Sequence, residues 1–459
     1  MNKRILSIGL AILMIFSISI PISFGTKVEL KNNNINPSFS GFINSNTLYV
    51  GGDGPGNYTK IQDAINDANF GDTVFVFNGT YYENIVVNKS INLIGENKNI
   101  TVIDGSNIVD TVNINIDRVS ISEFTIQHGN EKAIIINSRD NIIKNNIITL
   151  NGYGISIEGD FHNNSIINNN ISFNYLGIQI FKSSYNIISG NIITSHENCG
   201  IFLGESKYNN ISSNNISKCG IGIKSQWDSG YNIFFNNDIW MNNDRGIYCI
   251  RANFNNFTNN SIRLNKYHGI DVLDWCYNNT FKGNIIDSNT YIGIDLGYAY
   301  NNIIIENSIT NTTPEGVGID ISYKAKNNYI YHNNFVLNSY ANAVDRSPTG
   351  DNFWDDGYPS GGNYWDDYFG IDLNRDGIGD WPYLFHLGKV DHFPLMKPFG
   401  KKSVDIKSAE DIIPRFKQNV FFKFLEMFPM LEKLLQISIL PLLTLKQNQL
   451  ISAIFSAGF

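Results

Sequence analysis

Three aspartates recur at nearly equal intervals in this 459-residue chain, at Asp271, Asp295 and Asp320, and each lies two residues after the glycine of a Gly-Ile pair. In a stacked repeat such residues lie above one another, and stacked carboxylates repel. Repulsion raises the pKa of one carboxyl or recruits a cation, and both outcomes are the chemistry of an acid–base or metal site. The alternative interpretation is a row of solvated surface charges that discourages aggregation.

Strand alternation predicts the neighbours of these aspartates. If the isoleucine after each glycine points inward, the residues two and five positions after the glycine point outward. The first outward column reads Ser156, Gln179, Phe202, Lys224, Tyr248, Asp271, Asp295 and Asp320. The second reads Lys182, Glu205, Trp227, Arg251, Asp274, Tyr298 and Tyr323. Carboxylates and cations therefore stand beside aromatic rings, which suits a polysaccharide whose sugar faces stack on the rings.

Three functions fit these columns. A glycosidase would use Asp271 and Asp295 as acid and base, about 5 Å apart for retention and farther apart for inversion. A lyase would hold Ca²⁺ against a uronate with its carboxylates and use Lys224 or Arg251 as base. A polysaccharide-binding or surface-structural protein would leave the row open and shallow, without turnover. Short turns favour the open row, with sugar contacts from Tyr248, Trp227, Asp274, Tyr298 and Tyr323.

Short repeats must position these residues. Gly-Ile pairs recur from Gly154 to Gly318 with a period near 23 residues, and a second marker keeps the same period. A repeat this short cannot bury its own core, so it must stack on its neighbours. The stretches between markers alternate, are rich in β-branched residues and lack a helical period, which excludes ankyrin, tetratricopeptide and leucine-rich repeats. Three short strands per repeat predict a right-handed parallel β-helix, an all-β solenoid.

The second marker is a polar residue followed by an aliphatic or aromatic one. The apolar positions, of which the first eight are expected to point into one core, are Ile147, Ile171, Ile192, Ile216, Ile239, Ile262, Ile285, Ile309 and Phe335. The polar residues before them predict an asparagine ladder with conservative lapses: Asn146, Asn170, Asn191, Asn215, Asp238, Ser261, Asn284, Ser308 and Asn334. Stacked Asn side chains satisfy backbone groups that packing has removed from water.

Both ends of the solenoid carry cap sequences. Residues 58–68 have apolar or small residues at helical spacing and predict one short helix over the first coil, which would otherwise expose free strand edges. Segments 61–65 (IQDAI), 71–74 (GDTV), 79–81 (GTY) and 91–95 (INLIG) resemble the N-terminal cap of β-helix proteins such as pectinesterases and the NosD-like family. Segments 352–355 (NFWD), 361–368 (GGNYWDDY), 372–380 (DLNRDGIGD) and 382–383 (PY) resemble the C-terminal cap of archaeal and bacterial NosD-like proteins.

The resemblance covers residues 46 to 398 and implies carbohydrate-binding and sugar-hydrolysis (CASH) repeats. The family name also implies an accessory role for a copper enzyme. Copper would need clustered His, Met or Cys, and the seven histidines are scattered along the chain, so no copper site is expected. The catalytic motifs of pectinesterases and polygalacturonases are not found in this sequence.

Two further sites are predicted. Asp372, Asn374, Asp376, Ile378 and Asp380 match ligand positions of a calcium loop, although Tyr383 stands where a bidentate Glu should be. The alternative is a tight Asp/Gly turn without metal. Cys199 and Cys219 lie at equivalent points on successive coils and are candidates for a disulfide, against the alternative of four buried free thiols.

The domains follow from these boundaries. Residues 1–25 have the basic, apolar and small-residue regions of a signal peptide, 26–45 are a linker, 46–100 the N-terminal cap and first coils, 101–346 the β-helix, 347–400 the C-terminal cap and 401–459 an amphipathic helical tail. We expect a secreted, extracellular or cell-surface protein. Its net charge of −8 argues against nucleic acid and leaves a polysaccharide or cell-wall glycan as partner. The tail is predicted to dock on the solenoid, or to contact a membrane surface or a protein.

Overall fold

The computed structural model describes residues 45–313, 315–348 and 350–400. The predicted signal peptide (1–25), most of the linker (26–45) and the helical tail (401–459) lie outside these residues. Within them the chain forms an all-β parallel solenoid, in which each coil contributes one strand to each of three long sheets. Its longest α-helix has seven residues, and no helix of the described ranges is long and apolar enough to cross a membrane.

The three sheets run along the solenoid and are named A, B and C in the order in which a coil enters them. Sheet A has 13 strands: Thr47–Val50, Thr73–Val76, Asn92–Gly95, Ser120–Ser122, Ile142–Lys144, Ser165–Ile167, Ile187–Ser189, Asn210–Ser212, Ile233–Phe235, Asn256–Thr258, Thr280–Lys282, Ile303–Ile305 and Tyr329–Tyr331. Sheet B has 13 strands: Gly79–Tyr82, Thr101–Asp104, Thr125–Gln127, Ile147–Thr149, Asn170–Ser172, Ile192–Thr194, Asn215–Ser217, Asp238–Trp240, Ser261–Arg263, Ile285–Asp287, Ser308–Thr310, Asn334–Val336 and Tyr364–Trp365.

Sheet C carries the predicted acidic row. Its 12 strands are Ile85–Val87, Val112–Ile114, Lys132–Ile136, Tyr153–Glu158, Leu176–Phe181, Cys199–Gly204, Ile221–Gln226, Ile247–Ile250, Ile270–Leu273, Ile292–Leu296, Val317–Ile321 and Ala341–Asp345. A short parallel pair beside it joins Cys276–Tyr277 to Ala299–Tyr300. Strands from successive coils pair in parallel, so equivalent residues stack at a spacing of about 4.8 Å.

The sheet C register follows the Gly-Ile pairs as predicted. The isoleucine after each marker glycine from Gly154 to Gly318 is buried. The glycines themselves are needed because each lies against the next coil: a Cβ on Gly269 would stand 2.7 Å from the carbonyl oxygen of Gly293. The marker is therefore a steric requirement of the corner between sheets B and C.

The predicted register of sheet B was wrong in three coils. Ile192 is 51% exposed, and Ile147 and Ile285 are only partly buried, because in these coils an Ile-Ile pair begins the strand and its second residue enters the core. The core positions there are Ile148, Ile193 and Ile286. The first strand residue after the ladder asparagine faces outward, and the second faces inward.

The asparagine ladder before sheet B has none of the predicted lapses. Its members are Asn146, Asn169, Asn191, Asn214, Asn237, Asn260, Asn284, Asn307, Asn333 and Asn363. In each step an Asn Oδ1 accepts the backbone N–H and the Nδ2–H of the Asn one coil before, as Asn237 does from Asn214 at 3.1 and 3.0 Å. Asp238, Ser261 and Ser308, predicted as lapses, begin the following strands.

Two more ladders mark the other corners. The ladder before sheet A is also continuous: Asn141, Asn164, Asn186, Asn209, Asn232, Asn255, Asn279, Asn302, Asn328 and Asn352. In the ladder before sheet C, His196 takes the place of an asparagine: its Nδ1 lies 3.2 Å from the Asn174 backbone nitrogen. The ladder before sheet C is interrupted at Cys219, whose backbone N–H donates to Asn242 Oδ1, whereas the other two ladders are continuous; burial strengthens these hydrogen bonds by excluding competing water.

The ends of the solenoid are covered as predicted. The helix Ile61–Asp67, here α1, buries Ile61, Ala64 and Ile65 on the first coil, and the Glu83 carboxylate accepts the N–H groups of Ile61 and Gln62 at its N-terminus. At the other end Trp365 stacks on Phe335 with ring centroids 4.5 Å apart.

A short hairpin completes the C-terminal cap. Its antiparallel strands Tyr383–Phe385 and Lys389–Asp391 are joined through the 3₁₀ turn His386–Gly388. Asp391 is buried, accepts a hydrogen bond from the Trp365 indole at 2.9 Å, and its pKa is raised to about 7 by burial.

The four cysteines are buried free thiols, so the predicted Cys199–Cys219 disulfide is not formed. The physical reason is register: Cys199 pairs across the sheet with Ile221, not with Cys219, which lies in the turn before that strand. Burial raises the pKa of both thiols to about 12.

Candidate functional site

The acidic row lies on the outer face of sheet C, near the C-terminal end of the solenoid. Asp271 pairs in register with Asp295, and Asp295 with Asp320, so the three stack on successive coils. Tyr248 and Lys224 continue the column on the two preceding coils, as the alternation predicts. The cation of Lys224 lies 5.8 Å from the Tyr248 ring centroid.

Arginines neutralise the outer two members of the row. The Arg245 guanidinium binds Asp271 through its Nε and Asp244 through Nη1 at 2.7 Å. It also lies over the rings of Tyr248 and Tyr267, 4.6 and 4.9 Å from their centroids. At the other end of the row, Arg346 binds Asp320. The row is therefore not a series of free surface charges.

Asp295, the central member, has no arginine partner within the described part of the chain. Its nearest basic group is the His268 Nε2, 3.8 Å from Oδ2. Partial burial, followed by the charges of Asp271 and Asp320, raises the pKa of Asp295 to about 7. Its side chain keeps 24% of its surface exposed, so a ligand can reach a carboxyl that is about half protonated near neutral pH.

Two buried polar atoms at the row have no hydrogen-bond partner among the described residues, Asp271 Oδ1 and His268 Nδ1. Asp271 is 1% exposed and its pKa is raised, by burial first. Burial and the Arg245 charge lower the pKa of His268 to about 4, so this imidazole is neutral at physiological pH. Buried unpartnered groups cost free energy, and they are commonly kept where a ligand or a catalytic role uses them.

Tyrosines border the row on both sides. At the start of the strands Tyr267 and Tyr291 lie with ring centroids 5.1 Å apart, and Tyr291 is 50% exposed. At the strand ends lie Tyr298 and Tyr323, with the Lys324 cation 4.2 and 5.4 Å from their ring centroids. Aromatic side chains therefore lie on both sides of the row of carboxylates.

The second predicted column also stacks, and it runs beside the acidic row at the strand ends instead of forming part of it. Trp227, Arg251, Asp274, Tyr298 and Tyr323 follow the ends of successive sheet C strands, where the chain turns in the left-handed conformation at the first four of these positions. Arg251 stands on the coil of Tyr248 and next to Asp274, so it is not placed to act as a base at Asp295. The sequence prediction grouped residues of two different columns.

The sequence prediction did not include three residues that contact the acidic row. Arg245 and His268 directly precede marker glycines, in a position that is otherwise apolar or aromatic in the coils from Tyr153 to Val317. A charged residue in an apolar column was the available signal. Arg346 follows the last sheet C strand and lies outside the repeat, so no periodic signal could have found it.

The predicted calcium-loop residues lie at an exposed turn of the C-terminal cap. Asp372 accepts the N–H groups of Asp376 and Gly377 at 3.2 and 3.0 Å, and Asp376 accepts that of Ile378 at 2.9 Å. Asp380 accepts the N–H of Leu373, and Asn374 donates to Asp376. These carboxylates serve the turn, and no three His, Cys, Asp or Glu side chains of the described ranges come together as metal ligands.

The fold and its repeated ladders define a right-handed parallel β-helix protein, and comparison with protein families agrees. Residues 110–226 match the model of the right-handed β-helix region. Residues 227–370 match that of the periplasmic copper-binding protein NosD. Together the two matches run over residues 110–370 and support a NosD-like right-handed β-helix protein. No curated protein sequence matches the chain.

Solved structures share the architecture at low sequence identity. The mannuronan C-5 epimerase AlgE4 A-module of Azotobacter vinelandii is similar with a TM-score of 0.53 and 15% identity, over 61% of this chain and 90% of the epimerase chain. The Dettilon tailspike protein gp208 is similar with a TM-score of 0.54 and 15% identity, over 67% of this chain and 70% of the tailspike. At such identities the likeness shows the fold alone.

The copper named by the family does not fit the donor groups of this chain. The four thiols are buried and uncharged, with the pKa of Cys276 also raised to about 12 by burial. His196 is buried in a ladder with its Nδ1 and Nε2 both near backbone carbonyl oxygens, at 3.1 Å each. Copper prefers clustered sulfur and imidazole ligands, and the described residues do not bring such a set together.

Proposed function

We propose that this protein is an exported glycoside hydrolase that cleaves a neutral polysaccharide at the Asp271–Asp295–Asp320 row. The observation that carries the proposal is the asymmetry of the row: Asp271 and Asp320 are bound by arginines, and Asp295 between them has none. An arginine supplies a positive charge that stabilises a carboxylate, whereas burial beside two carboxylates raises the pKa of Asp295. Glycosidic acid catalysis requires a carboxyl that can hold a proton beside a second carboxyl group, and the row supplies such a pair.

Asp295 acts as the general acid. Its pKa of about 7 leaves it protonated in part of the population at neutral pH, and it can give that proton to the glycosidic oxygen. Asp320 acts as the nucleophile, because its side chain is 12% exposed whereas that of Asp271 is 1% exposed. Carboxylates on adjacent coils are about 5 Å apart, which predicts hydrolysis with retention of the anomeric configuration.

The charges around the acidic row favour hydrolysis over elimination. A lyase must neutralise the carboxylate of a uronate, but both arginines are already bound to aspartates. The additional carboxylates of Asp244 and Asp274 would repel an anionic sugar. The tyrosines on both sides of the row offer apolar ring surface and hydroxyl groups, which suit neutral pyranoses.

Export and a glycan partner complete the proposal. The sequence of residues 1–25 supports a signal peptide, and the family model is that of a periplasmic protein. The named activities of the β-helix neighbours, which include an epimerase of mannuronan, are consistent with a polysaccharide substrate.

A hydrolysis assay tests this function. The purified protein is incubated with a panel of neutral α- and β-glucans, mannans and galactans; new reducing ends are quantified, and NMR reports the first anomer released. Asp295→Asn should lower the rate at least about 10³-fold, since it removes the acid while keeping the shape. Asp238→Asn, an outward aspartate of sheet B paired with Arg263, is the matched control and should leave the rate unchanged. Release of unsaturated uronate from an acidic glycan, or equal activity of both variants, would overturn the proposal.

A further inference from the structure

A cavity of about 630 Å³ lies along the same corner of the solenoid, on coils nearer the N-terminus than the acidic row. It is lined by Phe181, Glu205, Lys207, Trp227, Asp228 and Arg251. We infer that this cavity is a second sugar-binding site, which holds a neutral pyranose of the polysaccharide that the row would cleave. The inference rests on the proposed function for the identity of the chain, but its binding test does not require turnover.

Trp227 is held in place as an exposed binding surface. Its ring lies 6.1 Å from that of Phe181 and 5.8 Å from that of Phe202, at interplanar angles of 78° and 75°. These perpendicular contacts fix the indole while leaving 47% of the residue exposed. A rigid aromatic surface costs little conformational entropy on binding, and sugar rings present C–H groups that pack on such surfaces.

The polar groups of the cavity are balanced in charge. Lys207 and Arg251 are cations, Glu205 and Asp228 are anions, and Glu205 lies 3.8 Å from the Lys182 ammonium. No ion pair within the described ranges joins Arg251 to a carboxylate. Guanidinium groups donate hydrogen bonds and carboxylates accept them, so the hydroxyl groups of a sugar can use both.

Stacking connects this cavity to the row. Trp227 and Arg251 occupy the corner column that continues through Asp274 to Tyr298, which lies on the coil of Asp295. Three coil spacings, about 14 Å, therefore separate the indole from the level of the general acid. A glycan that lies along the solenoid axis can occupy both places at once, whereas a disaccharide at the row cannot reach the cavity.

Binding by the Asp295→Asn variant tests the inference without turnover. Isothermal titration at pH 7 uses neutral gluco-, manno- and galacto-oligosaccharides of two to eight units, with oligogalacturonates of the same lengths. Affinity should rise with length for one neutral series. Trp227→Ala in the Asp295→Asn background should weaken the long members at least tenfold without changing the disaccharide, and Arg251→Gln should act in the same direction.

Trp240→Ala is the matched control, because Trp240 is a tryptophan of sheet B, away from the cavity, whose ring centroid lies 5.3 Å from the Arg263 guanidinium. An equal loss in that variant, no effect of Trp227→Ala, or tighter binding of the oligogalacturonates would overturn the inference. If long neutral oligosaccharides bind through Trp227 but the unmutated protein cleaves none of them, the binding site stands and the hydrolase proposal falls.

Discussion

Two columns of this solenoid stack the same kind of side chain on successive coils, with opposite consequences. At the corner before sheet A, the rings of Tyr185, Tyr208, Tyr231 and Phe254 lie nearly parallel, with centroids 5.1, 5.0 and 4.8 Å apart. On sheet C, Asp271, Asp295 and Asp320 stack at the same repeat. Rings attract at this spacing and carboxylates repel. Attraction between repeated rings is therefore enough to explain why the aromatic column exists. Repeated carboxylates destabilise one another, so the acidic row needs another explanation.

The two columns also differ in what they offer to a ligand. The stacked rings cover one another's faces, so solvent meets mainly their edges, and a sugar has no free face to pack on. The acidic row instead carries a partly exposed carboxyl, two arginines and unpartnered buried atoms. The repelling carboxylates and unpartnered atoms of the row destabilise the fold, whereas the stacked rings stabilise it. Destabilising features of this kind are the better indication of a functional site.

The largest effect on stability is expected from removing the Arg245 guanidinium, which binds Asp271 of the acidic row. Arg245→Met leaves the buried Asp271 without its partner and should cost about 4 kcal/mol in the free energy of unfolding, because an unpaired buried charge is poorly solvated. Urea unfolding at pH 7 measures it. Arg263→Met, which breaks the more exposed pair with Asp238, is the control and should cost about 1 kcal/mol or less. Equal losses would show that the row is as solvated as the sheet B surface.

The second prediction concerns pH. The folded-state pKa of Asp295, about 7, lies above its unfolded value of about 3.9, so its contribution to stability is fully present below pH 4 and is lost as pH rises through 7. Lowering the pH from 7.5 to 4.5 should therefore add about 3 kcal/mol from this carboxyl to the free energy of unfolding.

Asp391 in the C-terminal cap acts in the same direction, because burial raises its pKa to about 7 as well. Asp295→Asn should thus remove only part of the pH dependence, and Asp391→Asn another part. Unfolding curves at several pH values measure the slopes. A slope unchanged by Asp295→Asn would mean that the row does not hold a proton at neutral pH.

The aromatic column should respond more weakly. Tyr208→Leu removes two ring contacts but keeps apolar surface, so we expect a loss of about 2 kcal/mol, independent of pH and salt. Tyr82→Leu, at an exposed tyrosine without a ring neighbour among the described residues, is the control and should be near neutral. A pH-dependent loss in Tyr208→Leu would contradict the contrast between the two columns.

The smallest effect is expected at the turn 372–380, a third group of carboxylates. We still predict that Ca²⁺ binds this turn and relieves the repulsion among its carboxylates. In the acidic row, arginines relieve the corresponding repulsion. EDTA should lower the stability by about 1 kcal/mol, since a weakly bound ion stabilises only in proportion to the logarithm of its occupancy. Asp376→Ala should abolish that response. A melting temperature that EDTA does not change would leave the motif as a turn whose carboxylates serve its own backbone.

The contrast between these regions also explains what the sequence could predict. The acidic row was placed correctly because Gly269 and Gly293 fix the register through a steric contact that only glycine satisfies. In sheet B no such marker exists, and the pairs Ile147-Ile148, Ile192-Ile193 and Ile285-Ile286 fit the core equally well by composition. The ladder asparagines of these three coils, Asn146, Asn191 and Asn284, were predicted correctly, but the residue directly after each was taken as the core position, whereas the second residue after it enters the core.

Strand alternation could not predict the residues that contact the acidic row. Arg245 and His268 lie in the turn before the strand, where side chains no longer alternate between two faces, and Arg346 comes from the edge of the cap. Their approach to the aspartates depends on the path of the corner. Periodicity therefore predicts the residues that repeat, whereas a site is completed by those that do not.

The continuous ladders carry a consequence for how such a protein changes over generations. Every coil presents the same hydrogen-bonding corners to the coil above and below, so a whole coil can be duplicated or lost without disturbing the others. One inserted coil with an uncharged residue in the row between Asp295 and Asp320 would double the distance between these two carboxyl groups to about 10 Å, near the separation that inverting glycosidases use. In this architecture the gain of one such coil would change the stereochemistry expected of the proposed hydrolase.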